Sequence, residues 1–121
     1  MPREDAIGRR AETAACHYLE SQGLRLVTRN FRGPRGEIDL IMRDGATLVF
    51  IEVRYRRPSR FGGGAESVGR HKQARIIATA LYYLQSHHQA AQPAGRFDVV
   101  ALAPRDEGFH IDWLKDAFQA T

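Results

Sequence analysis

Two apolar stretches lie back to back: Gly36-Glu37-Ile38-Asp39-Leu40-Ile41-Met42-Arg43 and Thr47-Leu48-Val49-Phe50-Ile51-Glu52-Val53-Arg54. Each is too short for a buried helix and rich in β-branched residues, so both read as strands. Asp44-Gly45 between them is a hairpin signal. Side chains alternate across a strand. Glu37 and Asp39 are therefore expected on one face, with Ile38, Leu40 and Met42 on the other. In the second strand Glu52 and Arg54 share a face with Leu48 and Phe50, while Val49, Ile51 and Val53 point away.

The register decides what the acids do. A two-residue loop at Asp44-Gly45 pairs Asp39 with Phe50 and makes Glu52 its diagonal neighbour. A four-residue loop sets Glu52 directly opposite Asp39. Either even loop brings the two carboxylates to within about 5–8 Å at Cβ, whereas an odd loop sends them to opposite faces. Carboxylates inside apolar strands are costly unless paired. A divalent cation removes that cost, and hard oxygen ligands select Mg²⁺ or Mn²⁺ over zinc. The alternative is ordinary cross-strand ion pairing with Arg54, Arg43 or Arg35.

The rest of the chain supplies an α/β frame. Residues 8–22 are rich in helix formers, with Ala11, Ala15, Tyr18 and Leu19 at helical spacing and Gly23 as a stop. Leu24 to Phe31 alternates loosely as a strand, and Gly33-Pro34 is a turn. Tyr55 to Ala65 is a loop; its Gly62-Gly63-Gly64 run lacks the Lys-Ser/Thr ending of a phosphate loop and reads as a connector. A helix over Val68–His87 carries the stripe Gln73, Ile76, Ile77, Ala80, Leu81 and Leu84. Gln89 to Gly95 is a break, Phe97 to Ala103 a strand, and His110 to Leu114 a short strand or turn. The order α-β-β-β-α-β-β contains no repeat and no linker, so the 121 residues are expected to form a single domain, 1–121.

Charge is placed unevenly. The net charge is +4, but residues 25–75 hold twelve of the eighteen basic side chains and only five of the fourteen acids. A polyanion would be met there. Arg56, Arg57 and Arg60, interleaved with Tyr55 and Phe61, form a candidate phosphate-binding lip or else a solubilising loop. Arg70, Lys72 and Arg75 crowd the start of the second helix, where they oppose its dipole and suit an anionic partner. Cys16, the single cysteine, excludes an internal disulfide and reads as a small buried hydrophobe. Asp98 reads as a turn acid or buried ion-pair partner, Glu37 as the partner of an arginine, and His87-His88 as a helix end. No apolar run approaches the roughly 20 residues of a membrane span, and the charged start Met1-Pro2-Arg3-Glu4-Asp5 lacks a signal-peptide stretch. A cytoplasmic protein without membrane contact is expected.

Asp39 followed by Glu52-Val53-Arg54 resembles the PD-(D/E)XK nuclease core, an acid on one strand and then acid–any–Lys on the next. From about Gly8 to Phe118 the chain more closely resembles the YraN family of small bacterial proteins. The matching pieces are Ala11-Glu12, Tyr18-Leu19, Arg29-Asn30-Phe31, the two acid-bearing strands, Lys72, Arg96-Phe97-Asp98-Val99-Val100 and Ala117-Phe118. The family is grouped with restriction-endonuclease-like folds and is similar to archaeal Holliday-junction resolvases. The resemblance implies a mixed central β-sheet flanked by helices and a metal-dependent site. By position, Asp39 and Glu52 match the metal-binding acids, Glu12 the helix acid that completes such sites, and Gln73 loosely a polar residue of the helix after the core. Arg54 stands where the nuclease pattern has Lys. It can stabilise phosphate charge, but unlike Lys it cannot give up its proton to act as a base.

These features imply a Mg²⁺- or Mn²⁺-dependent nuclease that hydrolyses phosphodiester bonds in nucleic acid, DNA first, with branched DNA suggested by the resolvase likeness. A symmetric double cut would call for a homodimer. Two other readings stand beside it: a catalytically inactive nucleic-acid-binding module of the same fold, and an interaction domain whose carboxylates sit in salt bridges.

Overall fold

The computed structural model describes residues 3–56, 68–87 and 95–120. The Gly62–Gly64 run, Arg57, Arg60, Phe61, His88 and Pro93 lie outside them. The elements follow the expected order: α1 (Arg3–Ser21), β1 (Arg25–Gly33), β2 (Gly36–Asp44), β3 (Thr47–Tyr55), α2 (Arg70–His87), β4 (Arg96–Arg105) and β5 (Gly108–Phe118). The last strand is much longer than the five residues expected, because it pairs with β4 almost throughout, from Phe97↔Phe118 to Arg105↔Gly108. The five strands form one sheet in sequence order, antiparallel except for the β3–β4 pair, which is parallel across the α2 crossover. The chain is thus an α/β fold with a mixed sheet flanked by helices. Among the described residues no helix is long and apolar enough to cross a membrane.

The first helix ends as its sequence directs. Gly23 takes φ +102°, its N–H donates to Glu20 O (3.0 Å) and the Leu24 N–H to Leu19 O (3.1 Å). This is a Schellman cap, completed by Leu19 and Leu24, both buried in the same core cluster. That cluster lies between α1 and the sheet and includes Ala11, Ala15, Cys16, Leu40, Met42, Val49 and Ile51. Burial raises the Cys16 thiol pKa, in keeping with a packing role.

The second cluster lies between α2 and the sheet, on Ile38, Ile41, Leu48, Phe50, Ile76, Ala80, Tyr83, Phe97 and Val99. The stripe of α2 is rotated from the one expected. Thr79 and Tyr83 are buried, whereas Leu81 is 53% exposed. Tyr83 is drawn inward by edge-to-face contacts with Phe31 (5.1 Å) and Phe50 (6.1 Å). His87 closes the helix, stacked on Tyr83 at 4.1 Å, with Nδ1 3.0 Å from the Tyr83 carbonyl.

Two details of β2 matter for the site. The hairpin turn is Gly45-Ala46, one residue later than Asp44-Gly45, with Gly45 at φ +63° and Asp44 paired with Thr47. This gives the register expected of a four-residue loop: Leu40 faces Ile51, so Asp39 and Glu52 come next, opposite each other. Ile38 does not follow Leu40 and Met42 to the α1 side but packs under α2. The β1–β2 register holds across this point, with Arg29 paired with Leu40 and Phe31 with Ile38, and its shift lies further back, between Leu26 and Thr28. Asn30, between the two pairs, has φ +53°, a region that Asn tolerates better than most residues.

Candidate functional site

Around Asp39 and Glu52 the sheet is approached by residues of both helices, and two small adjoining cavities lie there. One, about 280 Å³, is lined by Glu37, Asp39, Glu52, Lys72 and Arg75, with Gly36 and Ile76. The other, about 220 Å³, is lined by Glu12, Asp39, Glu52, Val53, Tyr55 and Lys72, with Gly8 and Ala11. Asp39, Glu52 and Lys72 are common to both.

Glu52 is 5% exposed. The Lys72 ammonium reaches it from the first turn of α2, Nζ to Oε2 at 2.6 Å. Asp39 Oδ2 accepts the Val53 N–H at 2.8 Å. Burial, reinforced by the neighbouring Glu52 charge and more weakly by Glu12, pushes the Asp39 carboxyl up to about 8, against the opposing pull of the Val53 N–H and Lys72. The pocket thus pairs Glu52 with a lysine and disfavours a second negative charge on Asp39. Two such oxygen donors are what Mg²⁺ or Mn²⁺ accepts, with waters or a phosphate in the remaining positions.

Glu12 is held beside this pair. Asn30 Nδ2 bridges Glu12 Oε1 (3.0 Å) and Glu37 Oε2 (3.1 Å). Arg29 Nη2 lies 3.5 Å from Glu12 Oε1 and donates to Thr13 Oγ1 at 3.2 Å. Glu12 therefore shares the cavity while its own oxygen is engaged elsewhere. Among the described residues, no three His, Cys, Asp or Glu side chains come together as a ligand set. Glu37 pairs with Arg32 (3.6 Å), the arginine partner expected of it.

The remaining candidates separate. Lys72 and Arg75 line the acidic cavity, whereas Arg70 is exposed at the start of α2. Gln73 spends its amide on the Val68 carbonyl (2.7 Å), fastening the approach to α2, and lines neither cavity. Arg54 is half-buried and also outside both linings. Arg56 lines a different cavity, with Leu102, His110 and Trp113. Arg57 and Arg60 fall outside the described residues.

Of the two roles expected of Asp98, turn acid or buried ion-pair partner, it takes the second. It is fully buried and bound by Arg96 through Nε (3.0 Å) and Nη2 (2.9 Å), by Trp113 Nε1 (2.9 Å) and by the Asp116 N–H (2.9 Å).

Two site residues have roles that no local pattern shows. Lys72, one of the cations crowding the start of the second helix, is the counterion of Glu52. Its signal was present: the chain has only two lysines among eighteen basic residues. Asn30 organises two acids, and an asparagine inside a strand is a fair marker of irregular backbone.

The sequence model of a family described as "Uncharacterised protein family UPF0102" matches residues 11–102. Curated relatives share nearly the full length. A UPF0102 protein of Nitrosococcus oceani is 52% identical over 93% of this chain and 90% of its own. One of Methylococcus capsulatus is 48% identical over 93% and 90%. One of Stutzerimonas stutzeri is 42% identical over 99% and 100%.

Proposed function

The chain belongs to the UPF0102 family, the group to which its YraN resemblance pointed; from that membership and its acidic pocket we propose a Mg²⁺- or Mn²⁺-dependent nuclease that hydrolyses phosphodiester bonds, in DNA first. The observation that carries this reading is that Asp39 and Glu52, from adjacent strands, meet in one cavity into which Lys72 reaches. Asp39 and Glu52 would hold the ion. When bound, it would polarise the phosphate and acidify a water.

The chain's own residues do the rest. As a ligand Asp39 would give up the proton that its burial favours. Lys72, which pairs with Glu52 in the same cavity, would stabilise negative charge on the phosphate. It thereby takes the place that the acid–any–Lys pattern gives to the strand residue, where this chain has Arg54. Arg75 at the cavity wall attracts the phosphate. Glu12, fixed by Asn30 and Arg29, tunes the Asp39 charge from the helix side.

Calorimetric titration of Mg²⁺ or Mn²⁺, with cleavage assays on linear, single-stranded and branched DNA, tests this. Asp39→Ala and Glu52→Ala should each abolish ion binding and cleavage. Lys72→Met should retain ion binding and lose at least about 100-fold in cleavage rate. Cleavage by Asp39→Ala at the wild-type rate would sink the assignment.

One observation favours a second reading. The Lys72–Glu52 pair neutralises the buried carboxylate with no metal at all. A binding module that has lost the chemistry would bind nucleic acid equally well in EDTA and yield no product.

A further inference from the structure

A groove of about 840 Å³ runs along α1 beside the acidic cavities. Its cations are Arg9, Arg10 and Arg29, and Ala6, Ala14 and the Phe109 ring contribute apolar surface to its lining. Arg9 and Arg10 are exposed, and the Arg10 guanidinium stands over Phe109 at 5.8 Å.

Groove and acidic cavity touch at two points. At the first they share a wall. Glu12 faces the acids while its neighbour Thr13 faces the groove, and Arg29 bridges the two; Asn30, on the groove side, holds Glu12. At the second, Phe109 in the groove meets Tyr55 of the acidic cavity ring-edge to ring-face at 6.0 Å.

We infer that this groove binds a single-stranded stretch of nucleic acid and leads it into the acidic cavity. Phosphates attract arginines whether the nucleic acid is paired or not. Apolar lining with an aromatic ring and a flat guanidinium suits unstacked bases, which a duplex does not present. The groove also explains how an acid-lined pocket meets a polyanion: cations bordering the acids bring the backbone to their edge. The inference deepens the proposed function and rests on it.

The test is fluorescence anisotropy in EDTA, with a labelled oligothymidine of about twelve nucleotides and a blunt duplex of equal length. The proteins are the wild type, the double variant Arg9→Gln/Arg10→Gln and the single variant Arg10→Glu. Circular dichroism reports whether α1 is retained, and Mg²⁺ calorimetry whether the acidic cavity is intact. The wild type should prefer the single strand. Both variants should lose about tenfold or more in single-strand affinity, with a shallower salt dependence, while Mg²⁺ binding stays unchanged. Wild-type affinity in both variants, or preference for the duplex, overturns the groove and leaves the nuclease reading standing. No nucleic-acid binding by the wild type overturns both.

Discussion

Asp39 is a carboxyl group that the fold holds against its own ionisation. Its ordinary value of 3.8 is raised to about 8, by burial first and the Glu52 charge second. Between those values the folded protein keeps a proton that the unfolded chain releases. The folded state therefore binds more protons, and stability falls as pH rises through the window. Below it, both states are protonated and no penalty remains. Asp39→Asn keeps an acceptor for the Val53 N–H and cannot ionise. Metal-free wild type should lose melting temperature from about pH 5 to about pH 8 relative to this variant, by at least about 3 °C. Calorimetric scans at the two pH values check this; parallel behaviour of the two proteins would mean that Asp39 ionises freely. Saturating Mg²⁺ should remove the difference by stabilising only the wild type. The same residue thus reports on folding and on the proposed metal site.

At the scale of elements, the site departs from regular strand alternation. Asn30 takes φ +53° beside Asp39, and Ile38 packs under α2 rather than on the α1 side with Leu40 and Met42. Elsewhere the sheet is tight. Gly95 enters β4 so close to β3 that a Cβ would lie 2.5 Å from the Leu48 carbonyl oxygen and 2.6 Å from the Phe50 ring. Backbone cannot swing aside as a long side chain can. Gly95→Ala should cost about 2–4 kcal/mol, measured by urea denaturation; a loss under about 1 kcal/mol would show that β4 can slide. The strand alternation, the α1 stripe and the Schellman glycine were legible because each is a local pattern. The rotated stripe of α2 was not. Tyr83 is buried by Phe31 and Phe50, which belong to other strands, so Leu81 is left outside although it is the better hydrophobe.

Across the whole molecule, one buried polar cluster ties distant parts together. Asp98 in β4 binds Trp113 and Asp116 of β5, and Arg96 carries the connection on to Asp44 at the end of β2 (3.0 Å). Hydrogen bonds to Asp98 and Asp44 raise the Arg96 pKa further above its already high value. Asp98→Ala would leave Arg96 with Asp44 alone and orphan the Trp113 N–H. The cost should be about 3–5 kcal/mol, followed by the fluorescence of Trp113, the single tryptophan. A midpoint and slope matching wild type would show that water replaces the carboxylate without loss. This cluster braces the β4 and β5 side of the sheet, away from the cavities that Asp39 and Glu52 line.

The element order was legible in patterns of a few residues: period two, period 3.6, a glycine at a helix stop, a turn between two apolar runs. The mixed sheet was implied by the resemblance of the whole chain to its family, and the turn left the register open until the pairing of Leu40 with Ile51 set Asp39 against Glu52. Tertiary structure alone decided which cation answers Glu52. Lys72 lies twenty positions away on another element, and no spacing rule relates it to the strand. Nor could local pattern place Arg54 outside the acidic cavities or set the arginine groove of α1 against them. Those relations depend on how the helices cross the sheet, and the crossing is set by the summed packing of both cores.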